Sequence, residues 1–205
     1  MSQAKGSSYM ELGNTKVIVS VFDPREIPKQ SAYRLVGLTI LSVNTIVYII
    51  IFSIHGELYC DFKYSPFSCV KRKQPQTDME EKSLALAMKR ALEPLVCRHE
   101  FPNFQVDIFT NVLEDGGSAL GAAITCAGLA LADAGIPLYD TISATTAGIV
   151  DGNIILDPTN IEEEICLSSN KENQGIIIMA RLSTHEQVKI TYLFTIIISR
   201  TFFKL

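Results

Sequence analysis

The sequence predicts an α/β fold, a mixed sheet with buried helices on one face, and three observations predict it. Residues 106–140 run from a period-two stretch, through Gly116-Gly117, into a small-residue helix that ends at Gly135. Residues 78–96 carry an amphipathic helical stripe. Between and around these lie short strand-like segments at 7–22, 57–64 and 141–157, with turn residues between them.

In chain order, SYMEL and TKVIVSVF read as two strands of a hairpin joined at Gly13-Asn14, with Asp23-Pro24-Arg25-Glu26 leaving the sheet. In 57–64, Leu58, Cys60, Phe62 and Tyr64 share one face, and Glu57, Tyr59, Asp61 and Lys63 the other. Asp78 is placed to cap the first helix, Glu80 and Glu81 suit its positive end, and Leu84, Met88, Leu92 and Leu95 make its buried stripe. Phe104, Val106 and Ile108 fall on one side of the next strand and Asp107 and Asn111 on the other. Ser118 is placed to cap the second helix. Its alanines and glycines leave no polar face from Ala119 to Ala132, so it must lie buried against a sheet. Asp151-Gly152 reads as a type I′ hairpin turn, Glu162-Glu163-Glu164 as a short helix or turn, and 175–182 as a strand returning to the core.

The chain of 205 residues suffices for one domain with a sizeable core. A formal net charge of −4 argues against coating nucleic acid by charge alone, so any nucleic-acid contact has to be local or shared with basic neighbours. The five cysteines have no C-x-x-C spacing and are odd in number. With three scattered histidines they suggest neither a zinc site nor a disulfide framework, but free thiols in a reducing compartment. No signal-peptide pattern opens the chain.

Two segments break the pattern. Residues 35–54 hold no charge and are long enough to cross a bilayer core of about 30 Å, which makes a single-pass membrane protein one reading. Against it stand Asn44, several hydroxyl residues and a β-branched bias. In the tail from Val188, a capping box at Ser183-Thr184-His185-Glu186 announces a helix, yet β-branched residues without a helical stripe follow. Both segments, about 32–56 and 188–205, have the Ile, Phe, Leu, Tyr, Val and Ser runs of translated T-rich noncoding sequence, and with the clash between levels in the tail this marks them as translated intron rather than part of the domain at 1–187.

The strings LEDGGSAL, LALADAGIP and IILDPTNIEEE, with SQAKGSSYMELGNTKVIVSVFDPRE and LYCDFKYSPFS, resemble the RNase PH-like family over 2–31 and 57–187. The resemblance implies a ribosomal protein S5 domain 2-like fold, here cut at both ends, and places in which to look for phosphorolytic chemistry. Such an enzyme holds orthophosphate with arginines and main-chain donors at a helix start, and needs a carboxyl as acid. At the first helix, the family's arginine pair is matched by Met79 and Glu80. At the second, its threonine-arginine is matched by Ser118 and Ala119. Its first aspartate is matched by Glu163, and the second falls around Asn173 or Gln174. The guanidinium groups are gone, and no lysine replaces them.

What the resemblance implies is therefore a non-catalytic ring subunit of the RNA exosome, guiding RNA 3′ ends in ribosomal-RNA processing and messenger-RNA decay. An active phosphorolytic 3′–5′ exoribonuclease is the alternative. Implied partners are other RNase PH-like ring subunits, an S1/KH-type cap protein and RNA, with no membrane; the implied location is nucleus, nucleolus and cytoplasm. No cofactor or metal is expected. Arg25, which the family's loop would turn toward RNA unless a carboxylate pairs with it, and the basic run Lys71, Arg72 and Lys73 are the candidate RNA contacts.

Overall fold

A hairpin, a β-α-β crossover and a second hairpin wrap one nearly featureless helix. The computed structural model describes residues 3–26, 55–69, 72–74, 76, 78–150, 153–167, 174–182 and the backbone of 188–195. The 35–54 stretch, Lys71, Asp151-Gly152, Asn173, the 183–186 capping box and the end of the tail lie outside the described residues. Among the described residues no helix is long and apolar enough to cross a membrane.

The hairpin strands β1 (Gly6–Leu12) and β2 (Thr15–Glu26) pair antiparallel around Gly13, whose φ of 58° suits the turn. Strand β2 then pairs with β4 (Phe104–Glu114), and β3 (Glu57–Tyr64) runs parallel to β4 on its other side. The order is β1-β2-β4-β3. Parallel β3 and β4 need a crossover, which α1 (Met79–Leu92) supplies. A second sheet has the order β6-β5-β7-β8 and is antiparallel throughout: β5 (Ile142–Val150), β6 (Asn153–Leu156), β7 (Gly175–Leu182), β8 (Val188–Thr195). Strands β5 and β6 are joined across two residues, as the hairpin reading requires.

The expected helix is α2 (Ala119–Asp133), and it lies between the two sheets rather than against one. Ser8 Oγ of β1 donates to Cys126 O at 2.6 Å on one side. On the other, a Cβ at Gly128 would strike Ile142 of β5, and Ala144 N donates to Thr125 Oγ1 at 3.0 Å. Contact on two sides explains why the helix has no polar face. It ends in a Schellman turn: Ile136 N donates to Leu131 O and Gly135 N to Ala132 O, with Gly135 at φ 69°.

Three expectations change. Asp23–Glu26 does not leave the sheet; β2 continues past a register shift, so that Arg25 and Glu26 pair with Gln105 and Phe104. Helix α1 stops at Leu92, two residues before Pro94, which has no N–H to extend the ladder. Asp107, on the face of β4 opposite Val106 and Ile108, is buried with Gln105 and Arg25 both binding its carboxylate. Beyond 187 the β-branched composition prevails over the capping box, and β8 pairs with β7.

The core joins Val17, Val19 and Val21 of β2 with Leu58 and Phe62 of β3, Val106 and Ile108 of β4, Met88 and Leu92 of α1, and the alanine face of α2. This packing fixes the ends of β3 and β4 beside the starts of α1 and α2.

Candidate functional site

The candidate residues gather where β3 runs out, where α1 and α2 begin, and where α3 (Asn160–Leu167) packs back on the loop before α2. Among them is Tyr64, the last residue of β3, whose ring meets Phe62 edge-on at 5.4 Å. Lys73 of the basic run sits over that ring, Nζ 3.7 Å from its centre.

At the start of α1, Glu81 turns inward and is buried. Its Oε1 accepts the Tyr64 N–H at 3.0 Å and its Oε2 the Asp78 N–H at 3.2 Å. One carboxylate thus ties the helix start to the end of β3. Met79 and Glu80, where the family pattern has arginines, are both exposed.

The start of α2 is built differently. The loop Asp115-Gly116-Gly117-Ser118 is stitched to β2 by Thr15 Oγ1, which donates to Gly117 O at 2.6 Å. It is stitched to α3 by Asn160 N, which donates to Gly116 O at 2.9 Å, and Asn160 Nδ2, which donates to Asp115 O at 3.0 Å. Gly117, at φ 111°, leaves no room for a side chain: a Cβ would lie 2.4 Å from Pro158 O. Ser118 is left-handed at φ 55°. Its hydroxyl does not cap α2 but donates to Pro158 O at 3.1 Å. The capping expectation is corrected: a carboxylate from 45 residues away does that work, Glu163 Oε1 accepting the Ser118 N–H at 2.8 Å.

Ala119, the first residue of α2, is buried. Glu163 therefore faces the positive end of the helix, where an anion would otherwise dock. Burial pushes the Glu163 carboxyl above its usual range; the Ser118 N–H opposes this, and Asp115 adds to it. Burial likewise pushes the Tyr64 hydroxyl well above its ordinary value, and Asp115, Glu163, Cys69 and Glu80 push it further. Acidic groups thus surround Tyr64, with the Lys73 ammonium over its ring and the next residue back, Arg72, exposed.

Three of the places singled out from sequence converge here: the α1 start with Met79 and Glu80, the α2 start with Ser118 and Ala119, and Glu163. The candidate RNA contact Arg25 does not. It lies seven β4 positions from the partner of Tyr64, about 23 Å along the strand, with its Nε 2.6 Å from the buried Asp107. The carboxylate pairing weighed for Arg25 is what the structure contains. Sequence reasoning missed Tyr64, Asp115 and the inward turn of Glu81. Only Glu81 had a signal, the D-x-x-E spacing from Asp78. Among the described residues no group of three or more His, Cys, Asp or Glu side chains is placed to hold a metal ion.

Domain 1 of the 3′ exoribonuclease (RNase PH) family matches residues 1–137, and domain 2 of that family matches 140–187. Exosome complex component MTR3 of Homo sapiens is 41% identical over 167 residues, covering 80% of this chain and 59% of that protein. Exosome complex component RRP41-like of Arabidopsis thaliana is 42% identical over 166 residues, covering 81% and 56%. The chain therefore spans somewhat over half the length of these relatives. Among solved structures, rice (Oryza sativa) Rrp46 superposes with a TM-score of 0.70 at 20% identity, covering 96% of this chain and 77% of that one. An Archaeoglobus fulgidus exosome with RNA bound to the active site gives 0.68 at 17%, covering 93% and 73%. At those identities the structures bear on the fold alone.

Proposed function

The chain belongs to the RNase PH-type 3′ exoribonuclease family, and on that premise we propose that it is a non-catalytic ring subunit of an RNA exosome. It scaffolds a ring with other RNase PH-like chains and an S1/KH-type cap protein, in nucleus and cytoplasm. Its task there is to guide RNA 3′ ends in ribosomal-RNA processing and messenger-RNA decay.

The observation that carries this reading is the carboxylate at the α2 start. Phosphorolysis needs orthophosphate held beside the scissile linkage, with positive charge to offset what develops in the transition state. Here the Ser118 N–H is already taken by Glu163, Glu80 and Asp115 stand nearby, and positions 79, 80 and 119 carry no guanidinium. Positive charge for RNA phosphates is offered by the exposed Arg72 and by Lys73, whose ammonium sits over the Tyr64 ring. These two, with Lys71, are the RNA contacts we favour; Arg25 is committed to Asp107.

A second reading, an active phosphorolytic exoribonuclease, is favoured by one observation: a carboxyl pushed up by burial is suited to act as an acid. The experiment that separates the two is release of nucleoside diphosphate from an RNA tail in the presence of orthophosphate. The non-catalytic reading expects none.

The 32–56 insertion is part of the same proposal. Glu26 pairs with Phe104 and Glu57 with Gln105, on opposite sides of β4. The segment between them thus begins and ends two strand spacings apart, about 10 Å. A single membrane crossing would set its ends on opposite sides of the bilayer, about 30 Å apart. Messenger-RNA reads that join codons near 31 and 57 support an added segment; exclusively continuous reads contradict it.

A further inference from the structure

Among the described residues β3 is an edge of the first sheet, with β4 on one side and no strand on the other. Backbone groups alternate in direction along a strand. The Ser65 N–H, just past the end of β3, donates to Val112 O of β4 at 2.9 Å. The Tyr64 N–H turns the other way and donates to Glu81 Oε1 at 3.0 Å. By that alternation the N–H and C=O groups of Leu58, Cys60 and Phe62 also point away from β4. Glu81 closes the edge at Tyr64 and leaves those three residues as a template for a further strand.

This edge is one wall of a groove of about 440 Å³, and α1 is the other. Lys82, Leu86 and Lys89 line the groove from the helix, at a spacing that puts them in one stripe. Leu86 is 49% exposed. Neither Lys82 nor Lys89 has an ion-pair partner among the described residues, whereas Lys63 on the β3 side is held by Asp61 at 3.0 Å. A sheet edge beside such a stripe offers main-chain pairing on one wall and side-chain selection on the other.

Chemistry narrows the occupant. A nucleic-acid backbone would satisfy the lysines but brings no row of donors for the carbonyls of Leu58, Cys60 and Phe62. A second copy, paired edge to edge about a two-fold axis, would set Lys82 and Lys89 against the same lysines. Residues 27–54 and 196–205 of this chain contain no Asp or Glu, so they carry nothing to match the two cations. An acidic polypeptide meets both requirements. Lys82 and Lys89 lie about 10.5 Å apart along the helix. Side chains on one face of a strand recur about every 6.7 Å. Carboxylates two positions to either side of an aliphatic residue therefore come within reach of both flexible lysine stems.

We propose that the groove between β3 and α1 binds an extended acidic segment of another protein by strand addition. The segment's main chain pairs with Leu58, Cys60 and Phe62, an aliphatic side chain covers Leu86, and flanking carboxylates meet Lys82 and Lys89. The site and its ligand class are independent of the ring-subunit reading.

The test titrates the full chain into a dye-labelled peptide, GSETLTEGS, and follows fluorescence anisotropy. Saturable binding with a Kd below about 1 mM is expected. The Lys82→Glu/Lys89→Glu chain is expected to bind this peptide at least about tenfold more weakly. It should instead prefer GSKTLTKGS, a gain that misfolding would not produce. The acidic peptide N-methylated along its central ETLTE run keeps its charges but has no main-chain donors there, and is expected to lose binding. Absence of saturable binding to the parent chain overturns the proposal. So does equal binding of the acidic peptide by the charge-reversed chain, or equal binding of the N-methylated peptide, which would leave charge alone at work. Self-association of the parent chain that excludes the peptide would assign the groove to a second copy. An oligouridylate that outcompetes the peptide and is itself lost in the charge-reversed chain would assign it to nucleic acid. Either of these results also overturns the proposal.

Discussion

Two helices begin near Tyr64, and each has the N–H that precedes its first turn taken by a carboxylate, but by different routes. At α1 the carboxylate is local: Glu81 lies three residues past Asp78 and reaches back to it, with Tyr64 as its second donor. At α2 it is remote: Glu163 arrives from the second sheet's side of the molecule and meets Ser118 only because Gly117 lets Pro158 approach. The local arrangement holds one helix. The remote one joins two halves of the fold and fills the place where an anion would bind.

Substitutions that break each route should separate them. The largest effect is expected from Gly117→Ala, which combines an unfavourable φ with overlap on Pro158 O. A loss of about 2–4 kcal/mol in chemical denaturation is expected, and a loss under about 1 kcal/mol would show that the loop tolerates what the geometry forbids. Glu81→Ala strands two N–H groups and is expected to cost about 1–3 kcal/mol. Glu81→Gln should recover part of that, since an amide offers one acceptor oxygen in place of two. Lys73→Ala removes the cation over Tyr64 and is expected to cost about 0.5–1 kcal/mol in a melting experiment.

Glu163→Gln should change stability least, and its sign depends on pH. The folded carboxyl titrates above its unfolded value, so the folded state binds more protons in the window between the two, and stability falls as pH rises through it. The glutamine variant has no such charge and still accepts the Ser118 N–H. It should melt at or above the parent chain near neutrality, with the gap closing below the ordinary carboxylate range near pH 4.3. A gap that widens on acidification would reverse the assignment.

Legibility follows the same division. Everything local could be read: the Gly13 turn, the β3 alternation, the Asp78 helix start, the Gly135 stop and the burial of α2. The division of the strands into two sheets could not, because a helix without a polar face is equally buried by one sheet or two. Arg25's pairing with Asp107 depends on a register shift within β2, which periodicity does not encode. Ser118 looked like a cap because its residue type fits, but its left-handed backbone turns the hydroxyl to Pro158. The family pattern led to Met79, Glu80, Ala119 and Glu163 as separate departures. Only the fold brings their surroundings together with Tyr64 and Asp115 into one acidic cluster.

The most direct measurement incubates the chain, assembled with sister subunits whose own sites are disabled, with an oligoadenylate tail and orthophosphate. No orthophosphate-dependent release of ADP is expected, while the tail is still bound. Release of ADP that depends on orthophosphate and disappears in Glu163→Gln would contradict the account at its centre.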